Sequence, residues 1–257
     1  MSSKALPIAV QMYTLRHLQL PLDQLLEEIA RIGYRGIEIG GEHKASVEET
    51  NSLLNKHGLR IVAAHVMLQT LEADPQNVFD FNKSVGNTTL VIPWIGEDLR
   101  GKDAKGWMKL AAKFARLGES CAKAGMRLLY HNHDFEMAEV EGKTGIEWLL
   151  DSAAPETLGW EADLAWIQQG KQEIAPLLRK YAGRIPRVHV KDLAPAGSGQ
   201  DEGGFADVGY GTVDWSAALP AIQAAGSEWY VVEHDQPRQP LTTIRRSFEF
   251  LKGRLST

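Results

Sequence analysis

The chain has 257 residues, a formal net charge of -5 and a single cysteine, Cys121. That length suits one domain with a large core, expected over residues 1–257, and one cysteine excludes an internal disulfide. Acids and bases are interspersed without a basic stripe, which argues against nucleic acid or an anionic membrane as partner. The opening MSSKALPIAVQMYTL lacks the apolar core and cleavage site of a secretory signal, and no apolar run is long enough to span a bilayer. The expectation is a cytoplasmic protein, possible as a homo-oligomer, that acts on a small molecule.

Strand and helix patterns alternate along the chain. Residues 7–15 read as a first strand, followed by a helix over 21–32 with Leu22, Leu25, Leu26, Ile29 and Ile32 at helical spacing and Gly33 as its stop. Residues 36–40 form a short second strand. Ser46 is a plausible N-cap, with Glu49 three residues on, for a helix that runs to about Lys56. A third strand over 61–67 carries His65, and a helix over 75–85 leads to the β-branched fourth strand, 88–94. A long helix over 105–123 aligns Trp107, Leu110, Phe114, Leu117 and Cys121, which reads as a packing face.

The second half keeps the rhythm and ends its strands in polar clusters. Strands over 126–133, 158–164, 187–192 and 229–235 close on YHNH, WEAD, HVKD and VEHD, with helices near 144–152, 172–181, 214 onward and 241–251. A glycine-rich stretch, APAGSGQDEGGFADVGYGT, separates the seventh strand from its helix and reads as a functional or mobile loop. Eight strand–helix units in this length predict a (β/α)8 TIM barrel; a doubly wound open sheet is the alternative fold, but no GxGxxG follows the first strand. In a barrel, His131, His133, Asp163, His189 and Glu233 converge on the mouth at the strands' carboxyl ends.

Imidazoles and carboxylates from four strands suit a divalent cation such as manganese, cobalt or zinc. Burying so many ionisable groups without a cation or a tight network would be costly. An inward Glu161 or Glu38 taken singly is also explained by pairing with Arg or Lys. Lys191 is a candidate for holding a hydroxyl or stabilising an enolate oxygen. Glu38 and His65 are candidate substrate contacts, and Trp94 with Trp166 could form an apolar platform for a sugar ring. His234 should face the helices, and His17, His43 and His57 should be solvated.

The runs LLYHNHDFEM, EADLAWI, VHVKD, GYGTVDW and VVEHD resemble the sugar phosphate isomerase/epimerase family, with xylose isomerase-like barrels of the AP endonuclease family 2 type. The resemblance implies a metal, commonly Mn2+ with Co2+, Zn2+ or Mg2+ as alternatives, held by Asp163, His189, Glu233 and a residue on strand five. Where the family carries a strand-five Glu this chain has His131, with His133 and Glu136 just beyond. It also has Trp166 where many members carry a His.

The resemblance implies an isomerase or epimerase of a keto-sugar or polyol derivative, with His131, His133, Glu233 and Lys191 as catalytic groups and Glu38, His65, Trp94, Glu136 and Trp166 near the substrate. Because one of the two family glutamates is replaced, a keto-sugar dehydratase or lyase, acting on an inosose-like or 3-keto-glycoside substrate, is the alternative. A non-catalytic sugar-binding barrel is the second. No compact phosphate cradle is evident, so a non-phosphorylated sugar is the expected partner. A DNA-repair nuclease on this barrel is disfavoured by the lack of a basic surface.

Overall fold

A computed structural model describes residues 7–40 and 45–255. Eight parallel strands, β1 (Ile8–Gln11), β2 (Gly36–Gly40), β3 (Arg60–His65), β4 (Thr89–Ile92), β5 (Arg127–His131), β6 (Gly159–Asp163), β7 (Arg187–Val190) and β8 (Trp229–Val232), close into a barrel as β1 meets β8. Closure rules out the open doubly wound sheet. The chain is a (β/α)8 barrel with its helices outside.

Period-2 alternation divides each strand between two environments. Outward residues such as Ile8, Val10, Tyr130, Val188 and Val232 join the main core between strands and helices. Inward residues build a graded interior. Two small apolar groups, Ala9–Val62–Val231 and Ala63–Val91–Leu129, lie low in the barrel. Two residues further along the same strands come Gln11, His65, His131 and Glu233, so the lining turns polar towards the carboxyl ends.

Several boundaries differ from expectation, each for a local reason. The first strand stops at Gln11, whose side chain accepts from Tyr13 N and turns Met12–Leu15 into a 3-10 helix. Strand five stops at His131, before the 3-10 turn Phe135–Met137. Leu68–Ala73 and Leu164–Gln169 are additional short helices; Asp163 caps the second through Trp166 N at 2.9 Å. Ser46 does cap its helix, accepting from Glu49 N.

The glycine-rich stretch is folded rather than open. Asp192–Leu193 pairs antiparallel with Phe205–Ala206. The buried Asp192 carboxylate accepts from the backbone N–H of Leu193, Gly209, Gly211 and Val213 and from Trp215 Nε1, at 2.8–3.2 Å. His57 is not solvated as expected: Asp23 Oδ1 lies 2.7 Å from its Nε2. His234 is buried with its ring against Phe205 of this folded segment, 5.9 Å between centroids. His17 is exposed, and His43 lies outside the described residues. Among the described residues no helix is long and apolar enough to cross a membrane.

Candidate metal centre and active site

The barrel mouth holds two layers of ionisable side chains. In the upper layer, one nitrogen or carboxylate oxygen each from His131, Asp163, His189 and Glu233 lie within 4.8 Å of one another, all buried. His189 Nδ1 is 3.0 Å from Glu233 Oε2 and 3.8 Å from Asp163 Oδ2, and His131 Nε2 is 4.0 Å from Asp163 Oδ2. Asp163 Oδ2 is buried yet makes no hydrogen bond. An orphaned carboxylate oxygen among two imidazoles and a second carboxylate is the surrounding a divalent cation requires. Donors on opposite sides of an ion with bonds of about 2.1 Å stand roughly 4.2 Å apart. The donor set therefore fits a hard-to-borderline metal with nitrogen and oxygen preference.

The lower layer supports the upper one. Glu38 Oε2 lies 2.5 Å from His189 Nε2 and accepts from Gln11 Nε2 at 2.8 Å. Glu161 Oε2 meets His65 Nε2 at 2.8 Å and His189 Nε2 at 3.2 Å. Glu38 and Glu161 are thus paired with histidines, not with Arg or Lys. Gln11 and Asp235 belong to this site although they were not among the candidates, and Glu161, read only as an inward carboxylate, belongs to it as well. For Glu161 and Asp235 the signal was parity with Asp163 and Glu233, each two residues away; Gln11 carried none.

Lys191 is almost wholly buried and points into the upper layer. Its Nζ is 2.5 Å from Asp235 Oδ1, 3.0 Å from Glu233 Oε2 and 3.4 Å from Asp163 Oδ2. Trp166 and Phe205 back it, with the ammonium 5.2 and 4.8 Å from their ring centroids. Burial alone would lower the Lys191 pKa, but Asp163, Asp235 and Glu233 outweigh it, so the side chain is held as a cation.

The same competition sorts the other groups. Burial pulls His133 down to about 3, helped by the Lys191 charge, and burial with the neighbouring histidines holds His131 well below the ordinary value, so both imidazoles are neutral. Burial would lower His65, but Glu38 and Glu161 outweigh it and raise it to about 10. Burial and the Glu38 charge push Glu161 up to about 7, and burial raises Asp163 to about 6. Glu233 is pushed up by burial but held well below the usual range by Lys191 and His189.

A cavity of about 540 Å³ opens above these layers, lined in part by His65, His131, His133, Lys191, Glu233 and Trp94. Not every candidate reaches it. Glu38 lies under His189 instead of facing the cavity. Trp166 stands behind Lys191, its ring 5.2 Å from that of His133. Glu136 is turned away by the 3-10 turn after strand five: Tyr130 Oη donates to its Oε1 and His133 N donates to its Oε2. It is neither a cavity-wall group nor a member of the upper cluster.

A family model described as a xylose isomerase-like TIM barrel matches residues 26–254. The chain belongs to that family. Solved barrels of similar fold include a sugar phosphate isomerase/epimerase from Parabacteroides distasonis (TM-score 0.81, 22% identity, 98% of this chain and 96% of that one). Another is the IOLI protein with a bound zinc atom (TM-score 0.78, 16% identity, 98% of each chain). A curated relative over 92% of this chain and 88% of its own length is the inosose dehydratase of Geobacillus thermodenitrificans, 26% identical over 270 residues. Relatives that carry this name place the chain among enzymes. They overturn the expectation of an isomerase or epimerase in favour of the dehydratase alternative.

Proposed function

We propose that this barrel is a divalent-metal-dependent dehydratase acting on a cyclic keto-polyol of the inosose kind. The observation that carries the reading is the pair of imidazoles, His131 and His133, at the end of β5. An exchange of a proton between two faces of a ketose calls for two opposed carboxylates. Here the end of β5 supplies histidines where the second glutamate is expected, beside Asp163, His189 and Glu233 of the upper layer, and the relatives that span the chain are named for loss of water.

His131, Asp163, His189 and Glu233 would hold the ion; Mn2+, Co2+ and Zn2+ all suit their nitrogen and oxygen donors, and the zinc of the IOLI protein supports a divalent ion. When bound, such an ion supplies positive charge that polarises the substrate carbonyl. The remaining steps belong to the chain. His133, on the cavity wall, takes the proton from the carbon beside the carbonyl. The C–H electron pair becomes the new C=C bond as the β C–O bond breaks, and the proton returned by His133 leaves with the hydroxyl as water. Lys191 stands as a fixed cation beside the developing enolate oxygen.

The test is incubation of metal-loaded protein with a ketoinositol in D2O, followed by mass spectrometry. Loss of one water with formation of an enone supports the reading. Deuterium uptake without loss of water, or neither change, contradicts it, the latter favouring a sugar-binding barrel.

A further inference from the structure

His133 lines the cavity, yet its Nδ1 is buried and meets no hydrogen-bond partner among the described residues. The ring nitrogen left to face the cavity is Nε2. When Nε2 acts as a base, the neutral ring carries its proton on Nδ1. A histidine in that role usually donates this N–H to a carboxylate or a carbonyl, which fixes both tautomer and orientation. No such acceptor meets His133, so the plane of its ring has to be set by packing.

Three rings surround the imidazole. His131 meets it edge-on, 5.1 Å between centroids with planes 84° apart, and Trp166 is tilted by 42° at 5.2 Å. Both have other places in the site, His131 in the upper layer and Trp166 behind Lys191. Phe135 is the third. It lies parallel to the imidazole, 9° between planes and 5.8 Å between centroids, and does not line the cavity. An offset parallel stack of this kind is a preferred arrangement and resists rotation of either ring. Phe135 is held in turn by the Arg100 guanidinium, 3.6 Å from its centroid. The backbone beneath is anchored by the same 3-10 turn: Glu136 Oε2 accepts from His133 N at 2.8 Å, and Glu136 Oε1 accepts from Tyr130 Oη on β5.

The dehydration asks two things of one nitrogen. Nε2 first reaches the hydrogen on the carbon beside the carbonyl, then delivers that proton to the hydroxyl leaving the next carbon. Both transfers need near-contact geometry, and a displacement of about 1 Å can cost on the order of 100-fold in rate. Building on the dehydratase reading, we propose that Phe135 is a positioning residue of this site. It touches neither the substrate nor the metal donors, and it acts by holding the His133 imidazole in the plane that serves both transfers, with Arg100 as its brace.

The experiment follows dehydration of a ketoinositol by the metal-loaded native protein and by Phe135→Leu, Phe135→Tyr and Arg100→Met, with folding checked by circular dichroism and bound metal by mass spectrometry. Phe135→Leu should lower kcat at least about tenfold with KM within about twofold of the native value, the pattern of an interaction realised in the transition state. Phe135→Tyr keeps a ring for the stack and should retain most of the native kcat. Arg100→Met should lower kcat less than Phe135→Leu does, and bound metal should be unchanged throughout. The proposal is overturned by a Phe135→Leu kcat within about twofold of native or by an effect confined to KM. A fall in Phe135→Tyr as deep as in Phe135→Leu, or loss of metal, overturns it equally. If Phe135→Leu does not fold, Arg100→Met carries the test, and an unchanged kcat there is the contrary result. A native protein that dehydrates no ketoinositol sinks the dehydratase reading and this proposal together, whereas an active native protein with an equally active Phe135→Leu sinks this proposal alone.

Discussion

Glu38 and His189 meet 2.5 Å apart, Oε2 to Nε2, in a pocket closed to solvent, and this pairing aims the other ring nitrogen of His189 at Asp163 and Glu233. A carboxylate on the far nitrogen fixes the tautomer of a metal-binding histidine and raises its basicity. Burial would push the Glu38 carboxyl up, but His65 and His189 hold it well below the usual range, so it is charged in that role. Glu38→Gln should weaken metal binding by about 10–100-fold, the usual effect of losing such a partner, without removing any of the four upper-layer groups. Competition with a calibrated chelator reads the affinity; an unchanged value would show that His189 is oriented by something else.

Lys191 balances three carboxylates, and its removal should be felt twice. Lys191→Met keeps much of the apolar stem between Trp166 and Phe205 but leaves Asp163, Glu233 and Asp235 without their cation. Breaking a buried pair in this way costs on the order of 3–5 kcal/mol. Bound metal should recover part of that loss because it supplies positive charge to Asp163 and Glu233. Denaturant unfolding with and without added Mn2+ should therefore show a larger metal-induced stabilisation in the variant than in the native protein. Turnover should fall by at least about 100-fold, as when a preorganised donor to a developing oxyanion is removed.

Glu136 gives a pH dependence separate from the metal cluster. Burial pushes its carboxyl up to about 7, against the lowering effect of its bonds from Tyr130 and His133 N, whereas in the unfolded chain it returns to the ordinary 4.5. A raised folded-state value means that the neutral acid is the form the fold prefers. Its stability penalty is absent below about pH 4.5, grows between 4.5 and 7, and is full above 7, reaching roughly 3 kcal/mol at 1.36 kcal/mol per unit. Glu136→Gln should unfold with a shallower loss of stability between pH 5 and 8 than the native chain. Identical slopes in urea titrations would refute this assignment.

Asp192 should control the loop that backs the site. Its carboxylate gathers five N–H donors from residues 193–215, and Ala in its place leaves those donors to water or to one another. Each donor left unmet in a buried setting costs about 1–3 kcal/mol, so local opening is the cheaper outcome. Asp192→Ala should expose 194–212 to limited proteolysis while the barrel stays folded. With Phe205 no longer fixed beside Lys191, turnover should drop as well.

Much of this architecture was legible in the residues. Alternation of Val188 and Val190 with His189 and Lys191 identifies an outward apolar face and an inward polar one, and the same parity brings Asp163 and Glu233 to the mouth. The dense support beneath them was not legible, because Glu38 and Glu161 find their histidine partners, His189 and His65, across the barrel, up to 151 positions away in sequence. The fate of residues just past a strand was equally hidden. Parity holds only while the strand lasts, so Glu136, within the 3-10 turn Phe135–Met137 that follows the strand, bonds to Tyr130 instead of facing the cavity. The replacement of the expected strand-five Glu by His131 was visible, but it raised elimination only as the alternative to the isomerisation expected first, and it is the relatives that favour the alternative.

The most direct measurement follows dehydration of a ketoinositol while metal is stripped by chelator and then returned in known amounts. Activity should vanish on stripping, recover in proportion up to about one ion per chain, and fail to recover in His189→Ala, which lacks a donor of the upper layer. Full dehydration by the stripped protein, or recovery in His189→Ala equal to that of the native chain, would contradict a metal-dependent dehydratase built on His131, Asp163, His189 and Glu233.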